Sequence, residues 1–352
     1  MCVEDSDVLV AAPRPDPDTE PSEPLLLEPI DALRITSLVD NSTDLLAGDR
    51  GPAHRASLMS ATFPALSTHV QEAGQVPDVP LAEHGFSALV ELTRNDQTCR
   101  VLFDAGLTPG GLVTNMLRLG LDPRDVDVVV LSHGHFDHTT GLDGFIRAVG
   151  PTTLPVLIHP HFWRQRRISI PGRDPIELPT TSRRALEDAG FEIVERPEPS
   201  FLLNGALLVT GEIDRTTQFE QGFPIHQAHV GTDWRADPLI LDDQALIANV
   251  RGRGLVVLTG CGHAGVVNIL RYARRLTGVN DVYAILGGFH LTGALFASII
   301  PQTIAALHEL APDAIVPAPC TGWAAMHGIA TALPEAFIPN NVGTRYDFDA
   351  AS

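Results

Sequence analysis

The run Ser132-His133-Gly134-His135-Phe136-Asp137-His138 decides the reading of this chain. Four side chains that can bind a metal fall within six residues, in the pattern H-x-H-x-D-H. An apolar, strand-like run, Val126 to Leu131, leads straight into it. Neutral imidazole and carboxylate suit a borderline divalent ion such as Zn²⁺, and Fe or Mn accept the same donors. One turn can serve two ions, with His133 and His135 pointing to one side and Asp137 and His138 reaching an adjacent site. Close spacing lowers the entropic cost of assembling such a site. Completing it requires donors from elsewhere, which should also sit at strand ends.

Two later segments meet that demand. Leu255 to Thr259 is an apolar strand followed by Gly260-Cys261-Gly262-His263, and Val282 to Leu286 is followed by Gly287-Gly288-Phe289-His290. The glycines let the backbone bring an imidazole close to an ion. Cys261 is either a further ligand or a small buried residue. Asp104, at the end of another strand-like run, is expected behind a ligand histidine as its hydrogen-bond acceptor.

Composition narrows the partners. The chain has 352 residues, 44% of them hydrophobic, and a formal net charge of -19. A balance this acidic argues against non-specific nucleic-acid binding and against a polybasic membrane surface. Every basic residue is arginine, so no lysine is present to form a Schiff base. The four cysteines form no C-x-x-C pair, which fits a reduced cytosolic protein. No positively charged leader precedes an apolar core, and no window has the ~18 apolar residues of a membrane span. The expected location is cytoplasmic, with a small-molecule substrate; self-association into a homo-oligomer is left open.

Residues 1–32 are rich in Pro, Asp and Glu and are expected to be a disordered tail. Residues 33–352 form the expected domain, with insertions near the site at 42–80 and 160–235. Strands are expected at 33–39, 86–92, 99–103, 126–131, 154–158, 245–249, 255–259, 282–286 and 314–316. Helices are expected at 112–119, 142–149, 266–276 and 303–310. Strand-rich halves with outer helices imply a layered α/β sandwich.

The H-x-H-x-D-H run after a strand resembles the signature of the metallo-β-lactamase superfamily. Within it, the chain is similar to the dihydropterin-ribofuranosylaminobenzene-phosphate synthase-like group of metal-dependent hydrolases. The segments that carry this are Leu38-Val39-Asp40-Asn41, Gly85 to Leu89, Leu102 to Gly106, Leu131 to Gly141, Thr210 to Ile213, Asp242 to Leu246, Thr259 to Asn268, Gly287 to Leu291 and Pro319 to Gly322. The resemblance implies an αββα sandwich with a dinuclear site at one edge. His133, His135 and His263 would bind one ion, and Asp137, His138 and His290 the other. Cys261-Gly262-His263 stands where the superfamily usually has a bridging Asp. Ala318-Pro319 precedes Cys320 where the subgroup often has His.

The expected activity is hydrolysis by metal-activated water, with Asp137 orienting the nucleophile or taking its proton. Asp104, Glu212, Arg215, Cys261 and Cys320 are expected around the ligands or the substrate. Arg164, Arg167 and Arg215 could receive an anionic substrate. His159, His161, Phe162, Trp163, His226 and His229 could line a pocket, although loop histidines more often have no such role. The alternatives are a dihydropterin-linked transferase and a non-catalytic metal- or ligand-binding module.

Overall fold

Two β-sheets lie face to face, with helices on both outer surfaces. The computed structural model describes residues 10–11, 23–94 and 97–351. The first sheet runs Phe191–Glu195, Leu154–Ile158, Val128–Val130, Gln97–Phe103, Ser87–Arg94, Ala32–Val39, Arg345–Asp349, Ala53–His54. The second runs Val10–Ala11, Ser200–Leu202, Leu207–Val209, Ala245–Val250, Gly254–Thr259, Val282–Gly287, Ala314–Pro317. This is the expected αββα sandwich.

The strand sequences explain the layering. Val128 and Val130 enter the core between the sheets, while Val129 and Leu131 face the outer helices Gly111–Arg118 and Leu142–Val149. Likewise Val256 and Leu258 point inward, and Leu255 and Val257 pack under helix Val266–Thr277. A strand buried on both faces needs apolar residues at every position, so neither run alternates.

Strand direction sets the site. Gln97–Phe103, Val128–Val130 and Leu154–Ile158 are parallel, as are Gly254–Thr259, Val282–Gly287 and Ala314–Pro317. Their C-terminal ends therefore share one edge of the sandwich. Ser87–Arg94 and Ala245–Val250 are antiparallel to their neighbours and begin at that edge. Residues just before these two strands arrive beside residues just after the parallel ones.

Three features of the described residues bear on the expected organisation. The expected tail is mostly outside the described residues, but its end is ordered: Leu27 is buried, and the Ile30 amide donates to the Asn249 carbonyl at 2.8 Å. Val10–Ala11 pairs with the strand Ser200–Leu202. The 42–80 segment is not wholly separate, because Ala53–His54 forms an edge strand of the first sheet. Nor is 160–235 one insertion. Phe191–Glu195, Ser200–Leu202 and Leu207–Val209 belong to the two main sheets. What is inserted is a four-stranded sheet, Ile176–Leu178, Arg166–Ile168, His226–Val230, Asp233–Ala236. Short strands with mixed polar patterning hid this division.

Candidate metal centre

The turn after Val128–Val130 carries His133 and His135 into a cluster with His263. His133 Nε2 lies 3.0 Å from His135 Nδ1, which lies 3.1 Å from His263 Nε2. Burial, followed by the charge of neighbouring groups, holds all three pKa values well below the ordinary imidazole value. The three rings are therefore neutral at pH 7, as ligation requires.

The outer nitrogens decide which inner ones are bare. Ser132 Oγ donates to Asp104 Oδ2 at 2.7 Å, so its lone pair accepts from His133 Nδ1–H at 2.9 Å. That leaves His133 Nε2 without a hydrogen. His135 Nε2 meets His226 Nε2 at 3.0 Å, and His226 Nδ1 meets the Asp237 carbonyl at 3.0 Å. A carbonyl can only accept, so His226 carries its hydrogen on Nδ1 and offers a lone pair to His135 Nε2–H. His135 Nδ1 is then bare as well. Two lone pairs 3.0 Å apart repel unless a cation lies between them. Ligands 2.0–2.1 Å from a tetrahedral zinc stand about 3.3 Å apart, close to the spacing found. The residues present therefore fit a divalent ion.

A second group adjoins the first. His138 Nδ1 sits 2.7 Å from Asp104 Oδ2, and its Nε2 lies 3.0 Å from Cys261 Sγ and 3.7 Å from Asp137 Oδ2. Burial opposes charge on His138, but the carboxylates of Asp104 and Asp137 outweigh it and raise its pKa well above the usual value. Burial raises the Asp137 pKa. Asp104 also accepts from the Ser132 amide at 2.7 Å, so one carboxylate stands behind both groups.

Further donors flank this second group. His84 Nε2 is 3.5 Å from Asp137 Oδ2, and Cys320 Sγ donates to the same oxygen at 3.9 Å. Burial pushes the Cys261 thiol up, whereas contact with Cys261, then with His138 and His84, pulls Cys320 down against the effect of burial. His290 stands at the border of the cluster. Its ring lies 4.1 Å from that of His263 and 5.1 and 4.8 Å from those of Phe223 and Phe296. The third donor drawn up beside Asp137 and His138 is Cys261.

Backbone close approach explains how the strand ends meet. A Cβ on Gly260 would lie 2.0 Å from Ser132 Oγ, so only glycine lets the His263 turn approach the His133 turn. Gly85, at φ +112°, would place a Cβ 2.3 Å from the Asp137 carbonyl. It lets His84 enter. Asp242 and Asp243 fasten the turns: Gly134 N donates to Asp242 Oδ2 at 2.9 Å, and Ala264 N to Asp243 Oδ2 at 2.8 Å.

The arginines expected near substrate are engaged elsewhere. Arg215 donates to the carbonyls of His263 and Ala264 at 3.0 and 3.1 Å, bracing that turn. Arg164 contacts His161 and Asp237, and Arg167 bonds Gln227 and covers the Trp234 ring. Glu212 lies 3.9 Å from His159 Nε2, to one side of the cluster. His159 is buried, and that burial lowers its pKa to about 4.

A cavity of about 240 Å³ opens beside His263 and His290, walled by Phe219, Pro224, Leu295 and Phe296. Its one acid, Glu220, accepts from Val267 N, Asn268 N and Thr217 Oγ1. Among the described residues, no helix is long and apolar enough to cross a membrane.

Residues 82–274 match the model of the metallo-beta-lactamase superfamily, and the chain belongs to that superfamily. Among curated proteins it resembles the 7,8-dihydropterin-6-methyl-4-(beta-D-ribofuranosyl)-aminobenzene-5'-phosphate synthase of Methanocaldococcus jannaschii, at 30% identity over 267 residues. That match covers 73% of this chain and 87% of the relative. An uncharacterized protein of the same organism is 30% identical over 247 residues, 70% of this chain and 86% of its own length. A crystal structure of a metal-dependent hydrolase of the beta-lactamase superfamily superposes with a TM-score of 0.65 at 22% identity. The superposition covers 90% of this chain and 99% of that one, and it supports the shared fold.

The pattern of histidine after strand ends does not reach His84 or Asp242, and the sequence places His226 only among residues that could line a pocket. His84 and Asp242 precede antiparallel strands, and His226 opens a strand of the inserted sheet. The Gly85 beside His84 was the available signal.

Proposed function

We propose that this chain is a metal-dependent hydrolase acting on a small, largely uncharged substrate. The observation that carries the reading is the pair of bare nitrogens on His133 and His135, 3.0 Å apart beside His263. His133, His135 and His263 would hold one ion; Asp137, His138 and Cys261 would hold a second. A divalent ion there would supply Lewis acidity and make hydroxide available near neutral pH. Zinc suits the mixed imidazole, carboxylate and thiolate donors; iron and manganese suit the nitrogen and oxygen donors.

The chain's own groups would do the rest. Asp137, with its pKa raised by burial, is placed to take a proton. His84, 3.5 Å away, would hold that carboxylate toward the reacting group. The apolar cavity next to His263 and His290 would seat the neutral part of the substrate and exclude water from it.

A second reading has its own support. The similarity to the M. jannaschii synthase spans most of both chains, which favours a condensation joining a dihydropterin to a ribofuranosylaminobenzene phosphate. The test begins with metal content per chain. The loaded protein is then given esters, lactones and phosphodiesters, and separately a pterin diphosphate with an arylamine. Ester or lactone cleavage lost on chelation supports the hydrolase. Condensation product without cleavage overturns it in favour of the synthase, and absence of bound metal removes both.

A further inference from the structure

We propose that His226 is a positioning residue for His135, so that the inserted four-stranded sheet fixes one donor of the three-histidine group. The inference rests on the metal-site reading above. His226 is wholly buried at the start of the inserted strand His226–Val230. Neither of its ring nitrogens is available to substrate: Nδ1 is on the Asp237 carbonyl and Nε2 is on His135, each at 3.0 Å.

The carbonyl end of this relay is held from several sides. The Asp237 amide donates back to the His226 carbonyl at 3.0 Å, so the ring contact and a backbone bond together clasp the two residues. Arg164 and Arg166 stand 3.4 and 3.8 Å from the Asp237 carboxylate. Phe223 stacks on the His226 ring at 6.1 Å and 26°. The ring therefore cannot turn to present Nδ1 to His135. It imposes one tautomer: His135 bears its hydrogen on Nε2 and turns a bare Nδ1 toward His133 and His263. Outer partners of this kind change metal affinity by about 10–100-fold. His133 and His138 receive the same service from Ser132 and Asp104, which lie in the sandwich itself. Only for His135 does the service come from the insertion.

The side-chain amide of glutamine can place a carbonyl oxygen where His226 Nε2 stands, whereas phenylalanine keeps the ring and removes the acceptor. The test compares wild type, His226→Gln and His226→Phe, stripped of metal and titrated with Zn²⁺ against a chromophoric chelator. The metal-free melting temperature is read in parallel. The expected result is a 10–100-fold loss of affinity in His226→Phe and recovery to within about threefold in His226→Gln. Wild-type affinity in His226→Phe overturns the proposal, and so does equal weakening in both variants. Long-range ¹H–¹⁵N spectra of the metal-free wild type decide the matter independently of folding in the variants. Hydrogen on His135 Nε2 supports the relay, and hydrogen on Nδ1 overturns it. If wild type binds no metal the metal-site reading falls, while the tautomer measurement still tests His226.

Discussion

The two halves of the donor cluster are built on different principles. His133, His135 and His263 are neutral and buried, and two of them are aimed by hydrogen-bond relays ending in Asp104 and the Asp237 carbonyl. Asp137, His138 and Cys261 instead combine an acid, a thiol and a histidine whose pKa is pulled up by Asp104 and Asp137 against the effect of burial. The first half would hold a cation by the direction of lone pairs. The second gathers a carboxyl and a thiol, with His84 and Cys320 beside them, around a histidine that Asp104 and Asp137 favour in its charged form. The difference teaches that directional and electrostatic recognition can share one carboxylate, since Asp104 serves both.

The sharpest way to break this contrast is His133→Ala. It should remove one ion per chain and cut hydrolysis by more than about 100-fold, beyond the range typical of outer partners. Metal analysis with initial rates reads both, and unchanged stoichiometry would refute the three-histidine assignment. Asp104→Asn comes next. Asn tolerates the φ of +59° at this position, so the fold should survive. Affinity for the second ion should fall about 10–100-fold, and for the first by less, as read by chelator competition. Equal losses would erase the distinction between the halves.

Cys261→Ser probes the thiol that lies within reach of both halves. A hard oxygen in place of a soft thiolate should weaken Co²⁺ or Zn²⁺ by about tenfold or less and abolish thiolate-to-cobalt absorption. If the absorption persists, Cys320 is the coordinating thiolate.

The last effect concerns the fold, away from the donor cluster, and is a control for the others. Burial raises the Asp40 carboxyl to about 7. Between pH ~4, where an unfolded Asp releases its proton, and pH 7, the unfolded chain loses a proton that the folded chain keeps. Stability contributed at this position therefore falls as pH rises through that window and is flat above it. Asp40→Asn should remove this part of the pH dependence, so the melting temperature of the variant relative to wild type should climb from pH 4 to 7. A constant difference would exclude an elevated Asp40 pKa.

Much of the sandwich was legible because its central strands are buried on both faces. Val128–Val130 and Gly254–Thr259 announce themselves as unbroken apolar runs ending in small residues and histidine. The inserted sheet was not legible, since Arg166–Ile168 and Asp233–Ala236 are short and polar and take their pairing from tertiary context. The same limit applies to the donors. A histidine after a parallel strand can be found by pattern. His84, before an antiparallel strand, reaches the same edge only because of sheet topology. His290 follows a strand as the pattern asks, and at φ +43° its ring packs on that of His263 as well as on Phe223 and Phe296.

Gly260 has a further consequence for how this scaffold can be altered. Any side chain there would strike Ser132 Oγ, and one on Gly287 would strike the Thr259 carbonyl at 1.9 Å. The strand ends that carry the histidine turns thus have no room for a side chain at either glycine. A library seeking new reactivity should leave those strand ends untouched and diversify Leu295, Phe296 and Ile299, where the lining borders open space. Changes at Leu295 and Ile299 would reshape the cavity without touching either glycine, whereas Phe296 also packs on His290.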